Sequence, residues 1–190
     1  AVLGMDCAVG KRTTAKILRD TVRAQGKKAE MIFTGQTGWL QGAKYGFIFD
    51  ATLNDFVSGE LAWAILEAYR QEKPDLIILE GQSALRNPSG PCGSELLISA
   101  RAKKVILVHE IKKQYFDDLA EWGPLPSVQS EVELIRAYGS EVIALSLNTR
   151  GCTLAEAKRT QAQFQEELGI PVILPLEESM ESIIPHCLTS

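Results

Sequence analysis

Histidine is scarce in this chain, with only His109 and His186, and the four cysteines, Cys7, Cys92, Cys152 and Cys187, lie far apart without a Cys-x-x-Cys pair. That disfavours zinc sites and dithiol redox motifs and fits reduced thiols in a cytoplasmic protein. No serine–histidine–acid signature and no histidine pair suited to a metal is present, so nucleophilic hydrolysis has little support. Positive charge is not in excess either. The net charge is −4, which provides no global field to hold a nucleic-acid backbone or an anionic membrane. No apolar run approaches the ~20 residues of a membrane span. The first residues lack the charged-then-apolar layout of a signal peptide. Any anion must therefore be bound by a local site, and the expected partner is a small molecule.

What is present is enough for one domain with a real core: 190 residues, 45% of them hydrophobic and 23% charged. Short β-branched or leucine-rich blocks at 29–33, 75–79, 104–108, 142–147 and 171–174 read as strands buried on both faces. Between them run helix-period segments at 11–25, stopped by Gly26, and at 57–70, 94–102, 130–138 and 154–168, the last stopped by Gly169. Thr153-Leu154-Ala155-Glu156 is a capping box that opens the last of these. The alternation predicts an α/β fold in three layers, a mainly parallel sheet with helices on both faces. Two aperiodic stretches, 34–54 and 82–93, directly follow strands, which is where parallel sheets place ligands. Residues 1–3 read as a short strand that leads at once into a glycine loop. Central strands are normally longer, so the chain is expected to be the C-terminal domain of a longer polypeptide.

The sharpest motif is Gly4-Met5-Asp6-Cys7-Ala8-Val9-Gly10-Lys11-Arg12-Thr13-Thr14, set between that strand and an amphipathic helix. Glycines let backbone N–H groups converge on an anion, the helix start adds partial positive charge, and Lys11 supplies a full one. Residues Asp6 to Thr14, that is Asp6, Cys7, Ala8, Val9, Gly10, Lys11, Arg12, Thr13 and Thr14, are thus the expected phosphate contacts. The spacing is one residue longer than the standard pattern, and Arg12 stands where a magnesium-binding Ser or Thr usually follows the lysine. Asp75-Leu76-Ile77-Ile78-Leu79-Glu80-Gly81 delivers an acid at a strand end, where such proteins hold a metal directly or through water. Glu80 is the first metal candidate and Asp50 a second. Asp55 reads equally as an acid of the site or as a helix cap. Thr34-Gly35-Gln36-Thr37-Gly38-Trp39-Leu40-Gln41-Gly42 offers neutral hydrogen bonds and one flat ring, which makes Gln36, Thr37 and Trp39 candidates for substrate contact. Gln82 and Arg86 follow Glu80 and are candidates of the same kind. Asn148 leaves the fifth strand toward the same edge, where it would meet a base.

The loop GMDCAVGKRT and the strand DLIILEG resemble dethiobiotin synthetase and its relatives among the phosphate-loop ATPases. Over nearly the whole chain, the ordered set DCAVGKRTTA, TGQTGWLQG, NDFVSGE and LEGQSAL is similar to the C-terminal domain of the DgcN-like, or D-glutamate N-acetyltransferase-like, family. By position Gly10, Lys11, Arg12 and Thr13 match that family's phosphate loop, Gln36, Thr37 and Trp39 its glycine-rich loop, Asp55 its Asn-Asp-Phe motif and Glu80 its Glu-Gly-Gln motif. The resemblance implies an N-terminal α/β domain ahead of this one and, for characterised members, acetyl transfer from acetyl-CoA to the amine of a D-amino acid. In an acyl transfer of that kind the expected acid that takes the amine's proton is Glu80 or Asp55. A homo-oligomer is expected. Two other functions stay open at this point. One is Mg²⁺-dependent ATP chemistry, by a kinase or a carboxylate ligase. The other is a non-catalytic module that senses ATP or GTP.

Overall fold

The computed structural model describes residues 1–188. Among the described residues seven strands are formed: β1 (Val2–Gly4), β2 (Ala29–Phe33), β3 (Tyr45–Gly46), β4 (Leu76–Leu79), β5 (Lys104–Glu110), β6 (Glu141–Asn148) and β7 (Val172–Ile173). The helices are α1 (Lys11–Ala24), α2 (Gln36–Leu40), α3 (Asn54–Glu72), α4 (Ser94–Ile98), α5 (Val128–Ala137), α6 (Leu154–Leu168) and α7 (Ile184–Leu188). The pairings among these strands are all parallel, in two groups ordered β3-β2-β4 and β1-β5-β6-β7. A parallel bridge between Val2 and Glu80 joins the groups into one layer, and the Gly81 N–H donates to the Val2 carbonyl at 2.9 Å.

Apolar side chains on both faces of that layer explain why the strands read as unbroken hydrophobic blocks. On one face Ala15, Leu18 and Val22 of α1, with Ile183 and Ile184 near the C-terminus, pack on Val2, Met31, Ile78, Ile106 and Ile143. On the other, Val57, Leu61 and Ala64 of α3, Val132 and Ile135 of α5 and Ala157 of α6 cover Leu3, Ile32, Leu79, Leu107 and Leu145. The fold is therefore the expected three-layer α/β arrangement. The Thr153 hydroxyl accepts from the Glu156 N–H while the Glu156 carboxylate takes the Thr153 N–H, and Gly169 closes α6 in the left-handed region at φ 64°. Those bonds hold the Glu156 carboxyl down to about 2, the backbone N–H of Thr153 first among them.

The structure differs most from the sequence pattern in three places. The helix expected to begin at residue 57 begins at Asn54, because its first turn carries exposed Phe56 and no inward residue before Val57. The segment 34–54 contains a short helix, α2, and the edge strand β3, neither long enough to show a period. The helix expected over 94–102 ends at Ile98.

The seam between the two strand groups is tight. A Cβ on Gly81 would stand 2.4 Å from the Val2 carbonyl oxygen and 3.1 Å from a Leu3 methyl. Backbone cannot give way there as a flexible side chain does. Gly81→Ala is expected to cost about 1–3 kcal/mol, read as a lower urea midpoint; an unchanged midpoint would mean that the seam is loose.

Candidate phosphate-binding site

The loop between β1 and α1 folds back on itself, and its shape depends on small residues. Gly4 is needed because a Cβ there would meet Val9 at 2.7 Å and the Lys11 stem at 3.0 Å. Gly10, at φ 108°, turns the chain into α1, and Ala8 also lies at positive φ, 54°. The first α-helical bond runs from the Thr14 N–H to the Gly10 carbonyl. The N–H groups of Lys11, Arg12 and Thr13 precede that bond and have no partner within the helix, which is the arrangement that attracts an anion.

Lys11 is buried, and its Nζ donates to the carbonyls of Asp6 and Ser83, at 2.7 Å each. An ammonium has three donors, so one remains for a ligand. Burial pushes its pKa down to about 8, against the opposing pull of Cys7, Asp6 and other neighbours. A lysine that titrates there loses its charge as pH rises. An anion that needs this cation is expected to bind about tenfold more weakly at pH 9 than at pH 7, following the protonated fraction; a flat profile in that window would show that Lys11 does not serve the anion as a cation.

Glu80 ends β4 beside this lysine. The Thr34 hydroxyl donates to its carbonyl at 2.7 Å, which fixes the strand end. The Glu80 side chain is 3% exposed, and Oε1 meets the Arg12 guanidinium at 2.6 Å. Burial raises the Glu80 carboxyl although Arg12 and Lys11 pull it down. A pocket of about 320 Å³ is lined by Cys7, Ala8, Gly10, Lys11, Arg12, Thr13, Thr37, Glu80, Gly81, Gln82 and Ser83. The structure thus brings together the loop, the acid and two of the expected neutral contacts, Thr37 and Gln82. Asp50, the second metal candidate, is exposed and does not line the pocket; it accepts from Gln82 Nε2 at 3.3 Å.

Other candidates are engaged elsewhere. The Asp6 carboxylate is fully buried, accepts from Asn87 Nδ2 and from the Asp117 N–H, each at 2.7 Å, and pairs with Lys113 at 3.0 Å. Its carboxylate faces those groups inside the protein. Cys7, half-buried with its thiol pushed up by burial, shares a long contact of 3.5 Å with the Ser83 hydroxyl. Val9 is buried, and its carbonyl accepts from Asn148 Nδ2 at 3.0 Å, so Asn148 braces the loop. The Thr14 hydroxyl is buried against Ser146 at 3.0 Å, while Thr13 opens to the pocket. Arg86 is held by Glu131 at 2.6 Å and by the Ser130 hydroxyl. Asp55 is exposed in the first turn of α3, and Gln36 and Trp39 are exposed on α2. None of these four lines the pocket. His109 is half-buried with its ring against Phe164, ring centres 5.9 Å apart, and desolvation takes its pKa down to about 4. Sequence reading missed Asn87, Lys113 and Asp117; their only signal was that Asn87 falls in an aperiodic stretch after a strand.

A strand, a glycine loop, a lysine that opens a helix, and an acid ending the adjacent parallel strand together define a phosphate-loop domain of the α/β class. Its family is also established. The profile of the domain of unknown function DUF1611_C, described as a P-loop domain, matches residues 1–184, and the chain belongs to that family. Two curated relatives are named D-glutamate N-acetyltransferase. The one from Pseudoalteromonas is 25% identical over 97% of this chain and 56% of its own length, and the one from Tritonibacter scottomollicae is 26% identical over 91% and 53%. A crystal structure of a DUF1611 family protein from Anabaena variabilis superposes with a TM-score of 0.90 at 21% identity, covering all of this chain and 56% of that one. A nucleotide-binding protein from Archaeoglobus fulgidus, solved in complex with ADP, gives a TM-score of 0.55 at 13% identity over 90% of this chain and 79% of that one. The chain spans about half the length of the curated relatives it matches. Among the described residues no helix is long and apolar enough to cross a membrane.

Proposed function

We propose that this chain is the cofactor-gripping domain of an N-acyltransferase that passes the acetyl group of acetyl-CoA to the amine of a D-amino acid of the glutamate type. The observation that carries the reading is the pocket built from the α1 start, Lys11 and Arg12, two side-chain cations and free N–H groups facing one space. CoA carries a pyrophosphate and a 3′-phosphate, so a site of this kind holds it by charge without cleaving anything. The names of the relatives support the acyl-transfer assignment.

The long pantetheine arm separates the thioester of acetyl-CoA from its phosphates. Glu80, which touches Arg12 at the phosphate end, is therefore poorly placed to meet the reacting amine. Asp55, exposed where α3 begins, is the acid left to take the amine's proton. In the transfer itself the amine nitrogen forms a bond to the acetyl carbon, the carbon–sulfur bond breaks, the nitrogen's proton passes to the acid, and the thiolate leaves as CoA. We place the acceptor's remaining contacts in a preceding N-terminal domain and in the α2 loop bearing Gln36 and Trp39.

The test is transfer of labelled acetyl from acetyl-CoA to D-glutamate, with L-glutamate as control, by a version of the protein that includes the preceding domain. Labelled N-acetyl-D-glutamate is the expected product. ATP turnover dependent on Mg²⁺, without acetyl transfer, would overturn this reading in favour of a second one: phosphoryl transfer or carboxylate activation of the dethiobiotin synthetase kind. That alternative rests on the placement of Glu80 beside Lys11 and on the ADP-bound structural relative. Tight ATP or GTP binding with neither activity would instead mark a sensing module.

A further inference from the structure

A phosphate loop ordinarily works with Mg²⁺, held by a hydroxyl directly after the lysine and by an acid at a neighbouring strand end. The residues here do not fit that ion. Arg12 occupies the hydroxyl position, and its guanidinium lies on Glu80 Oε1 at 2.6 Å, against the carboxylate that would serve the metal. The Thr14 hydroxyl is turned inward to Ser146. Asp6, Cys7 and Asp117 lie close enough together to suggest a second cation site, but the Lys113 ammonium already stands 3.0 Å from Asp6.

We propose that Arg12 is the resident cation of this site. It takes the place of the divalent metal, so that the phosphate-bearing ligand binds without one. The pair is built for this role. Arg12 touches Glu80 through a single terminal nitrogen, while its buried Nε and the buried Glu80 Oε2 have no partner. A guanidinium has five donors in a planar fork, so most of them stay available to phosphate oxygens while one holds Glu80. Glu80 thus becomes the anchor that aims Arg12 into the pocket, and Arg12 supplies the positive charge there. This inference rests on the phosphate-loop reading and holds for CoA and nucleotide alike.

The experiment is calorimetric titration of CoA, ADP and pyrophosphate in EDTA and in excess Mg²⁺, on the wild type and on Arg12→Thr, with Lys11→Met as the blank. In the wild type, the ligand that binds is expected to do so with an affinity that agrees within about twofold between the two buffers. Arg12→Thr, which restores the usual hydroxyl, is expected to bind at least tenfold more weakly in EDTA and to regain part of that loss in Mg²⁺. A wild-type affinity that falls tenfold or more in EDTA overturns the proposal and leaves the phosphate loop standing. So does an Arg12→Thr variant that binds as tightly as wild type in EDTA. Absence of binding by all three probes, or equal binding by the Lys11→Met blank, overturns the phosphate-loop reading and the proposal with it.

Discussion

Lys11→Met is expected to weaken binding of any phosphate-bearing ligand by about 100-fold while the protein stays folded. Methionine keeps the apolar stem that lies over Gly4, so the loop retains its packing, and only the charge and its donors are lost. A hydrogen bond to a charged group contributes about 1.5–3 kcal/mol, and the direct attraction of a buried cation for phosphate adds to it, which together correspond to about two decades in affinity. Stability should change little. The ammonium is destabilised by burial, as its lowered pKa of about 8 records, and that penalty disappears along with its two carbonyl contacts. Calorimetry with CoA and ADP, paired with urea unfolding, reads both sides of the expectation. Unchanged affinity in a folded variant would remove the phosphate-loop assignment.

Asp6→Ala acts on the fold more than on the ligand. The carboxylate is the hub that ties the loop to Asn87, to the turn at Asp117 and to Lys113, whose side chain is 4% exposed. Among the described residues, removing it leaves a buried ammonium with the exposed Asp118 carboxylate, at 3.2 Å, and the Cys7 carbonyl, at 3.4 Å, as partners. Breaking one side of a buried pair costs about 3–5 kcal/mol, because the surviving charge is uncompensated. Urea unfolding should show a loss of that size. The double variant Asp6→Leu with Lys113→Met should recover much of it, since no charge then remains buried. A loss below about 1 kcal/mol in the single variant would mean that the hub contributes little.

How much of this was legible in the sequence depends on how local each signal is. Helix α6 was readable to the residue, 154–168, because Thr153, Glu156 and Gly169 act within a turn of its ends. Strand β2 was equally clear, as an apolar block at 29–33. The two-residue strand β3 and the five-residue α2 carry no period, and Gly38 is there because a Cβ would strike Phe33 at 2.4 Å, a tertiary reason. At the site the loop and Glu80 stood out separately, one by its glycines and lysine, the other by its place at a strand end. That Arg12 and Glu80 form one pair could not be read from spacing, nor could the linkage of Asp6 to Asn87, Asp117 and Lys113, whose positions along the chain bear no fixed relation. Arg86 illustrates the converse. Its residue type suits an anion, but the partner that meets it is Glu131, on α5.

The bridge between Val2 and Glu80 has a kinetic consequence. Among the described residues β1 and β4 meet only there, at two positions far apart in the chain, and Lys11 and Glu80 hang from the two sides of that junction. Non-local parallel pairing is slow to form, because the loop closure it needs comes before any reward in contacts. The pocket therefore cannot exist until both groups of strands have folded and docked. During refolding, recovery of anion binding should lag recovery of helical signal, which makes the ligand a probe of the last stage of assembly.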